Sequence, residues 1–172
     1  HMNIDDYDVK NELPEKLEAE DKWIISTLNT YTKEIRENLD KFELGIAVQK
    51  LYDFIWDCFC DWYIELAKSR LQSEGESAQN ARQVLVWVLT KILLLLHPFM
   101  PFITEEIWQS LPHEGETIMT QAYPELMSAA YRMVQFKGKF YKGIDCYADY
   151  RLRDQMKIEH RLENLAVRAK GY

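Results

Sequence analysis

Apolar residues recur at three- and four-residue steps from about Leu17 onward. Trp23 and Ile24, Leu28, Tyr31, Ile35 and Leu39 form one stripe, with Lys22, Lys33, Glu34, Arg36 and Glu37 mostly off it. That period predicts a first amphipathic helix, and the stretch from Asp40 to Gly45 interrupts it. A second helix is predicted from about Leu44 to Leu71. Its main stripe is Ala47, Leu51, Phe54, Ile55, Cys58, Trp62 and Leu66, broadened by Val48, Tyr52, Trp56, Phe59 and Tyr63. So wide a face predicts packing against more than one neighbour, as inside a bundle. After a polar turn from Gln72 to Ser77, a third helix is predicted from about Ala78 to His97. It is apolar nearly all round, so it is expected at the centre. Pro98 stops it and Pro101 opposes quick resumption. Thr104 is the expected cap of a short fourth helix, with Glu105 and Glu106 in its first turn. Ile107, Trp108 and Leu111 are expected to face inward, and Pro112 to end it. A short strand is predicted near Thr117 to Thr120.

The fold class predicted is all-α, an antiparallel helical bundle with a C-terminal appendage. Residues 1–16 read as a tag remnant and extended lead-in, residues 17–127 as the bundle, and residues 128–172 as a basic tail or appended segment. In that tail Lys137, Lys139 and Lys142 interleave with Phe136, Phe140 and Tyr141, and Arg151 to Lys170 can form an amphipathic helix. The tail is expected either to touch nucleic acid or to dock on the bundle.

Composition supports a packed core, with 47% hydrophobic and 28% charged residues. Only six Gly and five Pro are present, which favours long helices. The most apolar run, Val84 to Leu96, is short of the about twenty residues that a bilayer span needs. Its expected place is therefore a buried core helix, and no membrane role is predicted. Three cysteines, Cys58, Cys60 and Cys146, are too few and too scattered for a disulfide framework. They point to a reducing, cytoplasmic setting. Cys58 and Cys60 diverge by about 200° on a helix, so no metal site is expected. Charge is uneven. Residues 128–172 hold ten basic and five acidic residues, a balance of +5, which leaves −12 for residues 1–127 out of a net −7. An acidic domain binds nucleic acid only through a local basic face.

Catalytic patterns are missing. There is no Gly-rich phosphate loop, no H-E-x-x-H and no G-x-S-x-G. His97 precedes Pro98 at a helix end and reads as a capping or packed residue. Asp57 and Asp61, one turn apart, read as a solvated or ion-paired edge. Trp56, Trp62 and Trp108 read as core.

Three stretches carry a family resemblance. They are Leu13-Pro14-Glu15-Lys16-Leu17 with Asp21 to Ser26; Leu51-Tyr52-Asp53-Phe54-Ile55-Trp56 with Phe59-Cys60-Asp61-Trp62-Tyr63-Ile64-Glu65-Leu66-Ala67-Lys68; and Leu96-His97-Pro98-Phe99-Met100-Pro101-Phe102-Ile103-Thr104-Glu105-Glu106-Ile107-Trp108 with Ile118-Met119 and Tyr123-Pro124. In order and spacing they resemble the anticodon-binding domain of class I aminoacyl-tRNA synthetases of the valine type, over about residues 13–124. The third stretch is shared with leucine- and isoleucine-type relatives, whereas the second points to valine. Lys22 stands where the family usually has Arg, and Tyr123 where it more often has Trp.

The resemblance implies a parent enzyme that joins valine to tRNA using ATP and Mg. In that family the reaction belongs to a Rossmann domain with H-I-G-H and K-M-S-K-S signatures, and neither occurs here. No catalytic residue and no cofactor are therefore expected in this chain, which should be inactive alone. The resemblance implies two partners, the anticodon region of valine tRNA and the parent's catalytic domain. A bundle helix that normally precedes Asn3 has no counterpart here, so self-association through exposed apolar surface is expected. Single-stranded bases are read by stacking on aromatics while Lys and Arg hold phosphates. On that ground the candidate RNA contacts are Phe42 for stacking, Lys33, Arg36 and Lys41 near the backbone, and Arg70 and Arg82 flanking the second turn. The competing reading is a non-enzymatic protein–protein interaction module built on the same bundle.

Overall fold

The computed structural model describes residues 11–126, and the backbone alone of residues 133–136 and 139–142. Helix α1 runs Ala19–Asp40 and is followed after a tight turn by α2, Leu44–Asp53. Without a break the rod continues as a π-helix, Phe54–Ile64, and as α3, Glu65–Leu71. Helix α4 spans Glu76–Leu96 and α5 spans Pro101–Gln109. A 3-10 turn, Ile118–Thr120, follows, and then an antiparallel hairpin of β1, Met133–Phe136, and β2, Lys139–Lys142. Strand β1 pairs Met133 with Lys142 and Phe136 with Lys139, and its backbone lies beside α1. The basic residues 137 and 143–172, including the amphipathic stretch at 151–170, lie outside the described residues.

The main predicted stripes form the core, whereas Val48, Tyr52 and Trp56, which broaden the second, are exposed. Ile24, Ile25 and Ile35 of α1 pack with Leu51, Phe54 and Tyr63 of the rod and with Val84, Val88 and Leu95 of α4, all fully or almost fully buried. Helix α4 is central, as its all-round apolarity requires. A second cluster of Leu93, Leu94, Trp108, Leu111 and Ile118 ties α5 and the 3-10 turn to the far side of α4.

The structure differs from the sequence-based expectation in the second rod, in α5 and in the loop after it. The middle of the second rod is a π-helix of 11 residues, whose i→i+5 bonds widen the turn. Helix α5 begins at Pro101 with Met100 as its cap residue, because proline's fixed φ and missing N–H suit the first helical position. Thr104 is therefore inside the helix and fully buried, and its hydroxyl donates back to the Met100 carbonyl at 2.8 Å. That leaves its lone pair to accept from Nδ1 of His97 at 2.7 Å, which fastens the end of α4 to the start of α5. Glu105 and Glu106 consequently lie beyond the first turn. Glu105 instead accepts from the Thr117 hydroxyl at 2.7 Å and the Ile118 N–H at 3.1 Å. Those bonds, and the Thr117 hydroxyl accepting from the Met119 N–H, curl residues 118–120 into a turn where a strand was expected. Ile107 points outward at 36% exposure, and Trp56, expected in the core, is 52% exposed, while Trp62 and Trp108 are buried.

Candidate nucleic-acid interface

Helix α1 ends in a Schellman motif. The Phe42 N–H donates to the Leu39 carbonyl at 2.9 Å and the Glu43 N–H to the Asn38 carbonyl at 2.8 Å. The residue between them must adopt the left-handed conformation, and that position is normally glycine or asparagine. Here it is Phe42, with φ +59°. Its ring gains no packing in return, being 88% exposed. A strained backbone that presents an aromatic ring to solvent is the geometry a stacking residue needs. Phe42 is not a turn residue tucked into the bundle.

Lys41, next in sequence, is exposed. Lys33 is exposed on α1 and meets Glu37 at 3.7 Å. At such exposure that pair contributes little stability and is readily exchanged for another anion. Arg36 is half-buried. Its Nη1 donates to the Pro124 carbonyl at 2.9 Å and its guanidinium lies 5.9 Å from the Tyr123 ring centroid. Arg36 thus fastens the loop after the 3-10 turn to α1. The structure brings Phe42 and Lys41 together at the turn and aligns Lys33 and Arg36 behind them along one helix.

Arg70 and Arg82 are elsewhere, and their surroundings remove them from the candidate interface. Arg70 donates to both carboxylate oxygens of Asp21 at 3.0 Å and to Glu20 at 2.9 Å. Asp21 is fully buried and also accepts from the Tyr63 hydroxyl at 3.0 Å. Burial works against the Arg70 charge, but Asp21 and Glu20 overcome it and hold its pKa above the ordinary value. Burial raises the Glu20 carboxyl pKa more than Arg70 lowers it. Tyr63 is pushed well up, first by burial and then by the Asp21 charge, so it stays a donor. Arg82 is 3% exposed and donates to the carbonyls of Leu71 at 2.8 Å and Ser73 at 3.2 Å, closing the end of α3. Both arginines hold helices together.

A feature the sequence reading merged into the core is a stripe of exposed apolar residues on the rod. Leu44, Val48, Tyr52 and Trp56 stand four residues apart at 53%, 40%, 58% and 52% exposure. The Tyr52 and Trp56 rings lie 6.1 Å apart. Asp57 beside them is half-buried and Asp61 exposed. Among the described residues no group of His, Cys, Asp and Glu could hold a metal ion, and no helix is long and apolar enough to cross a membrane.

Residues 21–168 match the family model described as the anticodon-binding domain of tRNA ligase. The match runs on into the segment that the sequence reading set apart at residue 128. The valine–tRNA ligase of Carboxydothermus hydrogenoformans is 50% identical over 124 residues, 72% of this chain and 14% of the relative. That of Bacillus cereus is 50% identical over 125 residues, again 72% and 14%. That of Latilactobacillus sakei is 49% identical over 128 residues, 73% of this chain and 14% of the relative. The chain therefore spans 14% of the length of these curated relatives.

Proposed function

We propose, because this chain belongs to the family of anticodon-binding domains of tRNA ligases, that it recognises the anticodon stem-loop of valine tRNA. The observation that carries this reading is Phe42, a phenylalanine in a left-handed cap position with its ring in solvent. Phe42 stacks on an unpaired loop base, and Lys41 and Lys33 approach the backbone phosphates. Arg36 holds the Tyr123–Pro124 loop and lends its charge to the same flank. The parent protein is a cytoplasmic ligase that joins valine to its tRNA with ATP and Mg. This chain supplies recognition and no chemistry, and in the parent it works beside the catalytic domain.

Binding of the chain to an anticodon stem-loop with the valine anticodon, with and without the Phe42→Ala substitution, tests the reading. Loss of one stacked base costs about 1–3 kcal/mol, and a variant that binds like the unaltered chain removes Phe42 from the interface. A second reading, a protein–protein interaction module, is favoured by the Leu44–Val48–Tyr52–Trp56 stripe. It is the surface through which self-association would run, and a Tyr52→Lys, Trp56→Glu double variant that stays as associated as the unaltered chain would exclude it.

A further inference from the structure

We infer that the cavity between α1, α4 and the Ala122–Glu125 loop is a second RNA contact, which takes one unpaired nucleotide with its base against Trp87 and Tyr123 and its phosphate at Lys91. The inference rests on the anticodon stem-loop reading above and extends it to residues on another part of the bundle.

The cavity has a volume of about 270 Å³ and is lined by Asn29 and Thr32 of α1, Trp87 and Lys91 of α4, and Tyr123 and Glu125 of the loop. Trp87 and Lys91 are one helical turn apart on α4, so both reach the same face. The Lys91 ammonium lies 5.4 Å from the Trp87 ring centroid. It has no carboxylate within ion-pair distance among the described residues, whereas Lys16, Lys33, Lys50, Lys68 and Arg70 each meet one. Burial lowers its pKa from the ordinary lysine value. A half-buried cation in an acidic domain, held among the described residues by an aromatic face and no carboxylate, is a standing site for an anion. A second cavity also reaches Lys91, but Glu12 and Glu114 line it, so the Trp87–Tyr123 side is the one open to an anion.

The aromatic part of the site fits a base. Indole and phenol rings offer π faces of the kind on which unpaired bases stack. The exposed Glu125 carboxylate on the same wall can bond a base edge as an acceptor for an exocyclic amino group. The cavity wall is tied through Arg36 to the helix that leads into the Phe42 turn. Tyr123 and Pro124 on its wall are the residues to which Arg36 is fastened. From Thr32 to Lys41 the helix rises about 14 Å, a distance that a short single-stranded stretch bridges. Phe42 and the Trp87–Lys91 cavity therefore grip two points of one loop.

The test uses the whole chain and an anticodon stem-loop RNA with the valine anticodon, with affinity measured across salt concentration. Replacing Lys91 by Gln should flatten the slope of log affinity against log salt by about 0.7, the value for one phosphate of a single strand. Lys91→Arg should keep the slope. Trp87→Leu should weaken binding about 5- to 160-fold, the range for one stacked base. A Lys91→Gln slope equal to that of the unaltered chain, while Phe42→Ala still weakens binding, overturns this inference and leaves the Phe42 reading standing. Absence of stem-loop binding by the unaltered chain defeats both. Where a variant melts early, cross-linking of a 4-thiouridine stem-loop to the unaltered chain decides. A cross-link in the peptides that carry Trp87 or Tyr123 supports the site, and its absence overturns it. Adenosine monophosphate, whose base carries an exocyclic amino group, serves as the free-nucleotide probe. If it binds with the same Lys91 dependence while the stem-loop does not, the site serves a free nucleotide and the inference is overturned.

Discussion

Asp21 is fully buried and accepts hydrogen bonds from Arg70, Tyr63 and the Glu18 backbone N–H. Removing one partner of a buried ion pair leaves the other uncompensated, at a cost of about 3–5 kcal/mol. Asp21→Ala should therefore lower the unfolding free energy by that amount, measured by urea denaturation, whereas Lys33→Ala, on an exposed pair, should stay within about 0.5 kcal/mol. Glu105 makes a pH-dependent prediction. The bonds from Gln109, Thr117 and the Ile118 N–H hold its carboxyl pKa below the ordinary value. A lowered folded pKa contributes stability above the unfolded pKa, about 4.3, and that contribution is lost as pH falls through the folded value. The protection of the Ile118 amide against exchange, relative to a free amide at the same pH, should fall on acidification with a midpoint below that of a free glutamate. From the sequence, Arg70 and Arg82 are candidate RNA contacts flanking the second turn. An arginine's role is set by its partners, and Glu18, Glu20 and Asp21 stand about fifty positions from Arg70 along the chain, so no local pattern could reveal them.

At the scale of the element, the turn between α1 and α2 sets stability against binding. Phe42 sits where glycine belongs, and a non-glycine residue in the left-handed region costs about 1–3 kcal/mol. Phe42→Gly should raise the denaturation midpoint by an equivalent of about 1 kcal/mol while weakening stem-loop binding. A gain in both would disconnect the strain from recognition. Legibility was uneven among the elements. The second rod was read correctly in extent, from Leu44 to Leu71, because its apolar stripe is unbroken. Its π-helical middle was invisible, since Phe54, Cys58, Phe59, Trp62 and Tyr63 fit an i+4 pattern as well as a wider one. The start of α5 was misplaced because Pro101 was weighed as a breaker, although at the first helical position proline is favoured. The strand expected at Thr117–Thr120 lost to local side-chain bonds from Glu105 and Thr117, which period-2 patterning cannot register.

For the whole molecule, burial separates tryptophans that look alike in sequence. Trp62, 3% exposed, should cost about 3–5 kcal/mol on substitution by Ala. Trp56, 52% exposed, should cost less than about 0.5 kcal/mol on substitution by Ser. Denaturation of the two variants checks the contrast. Both sit on one helical rod with apolar neighbours, and only the number of elements packed on each face tells them apart. The same limit applies to the interface. Phe42 and Lys41 were legible as an aromatic beside a cation at a turn, whereas the Trp87–Lys91 cavity needed a loop more than thirty positions away. With a net charge of −7 the chain repels RNA at long range, so binding must come from short-range stacking and a few phosphate contacts. That makes anticodon identity the decisive variable. The most direct test is the affinity of the whole chain for two stem-loops that differ only in the anticodon, one of them carrying the valine anticodon. Binding should be tighter to the valine stem-loop, with the difference reduced by Phe42→Ala. Equal affinity for both, or no binding to either, would contradict it.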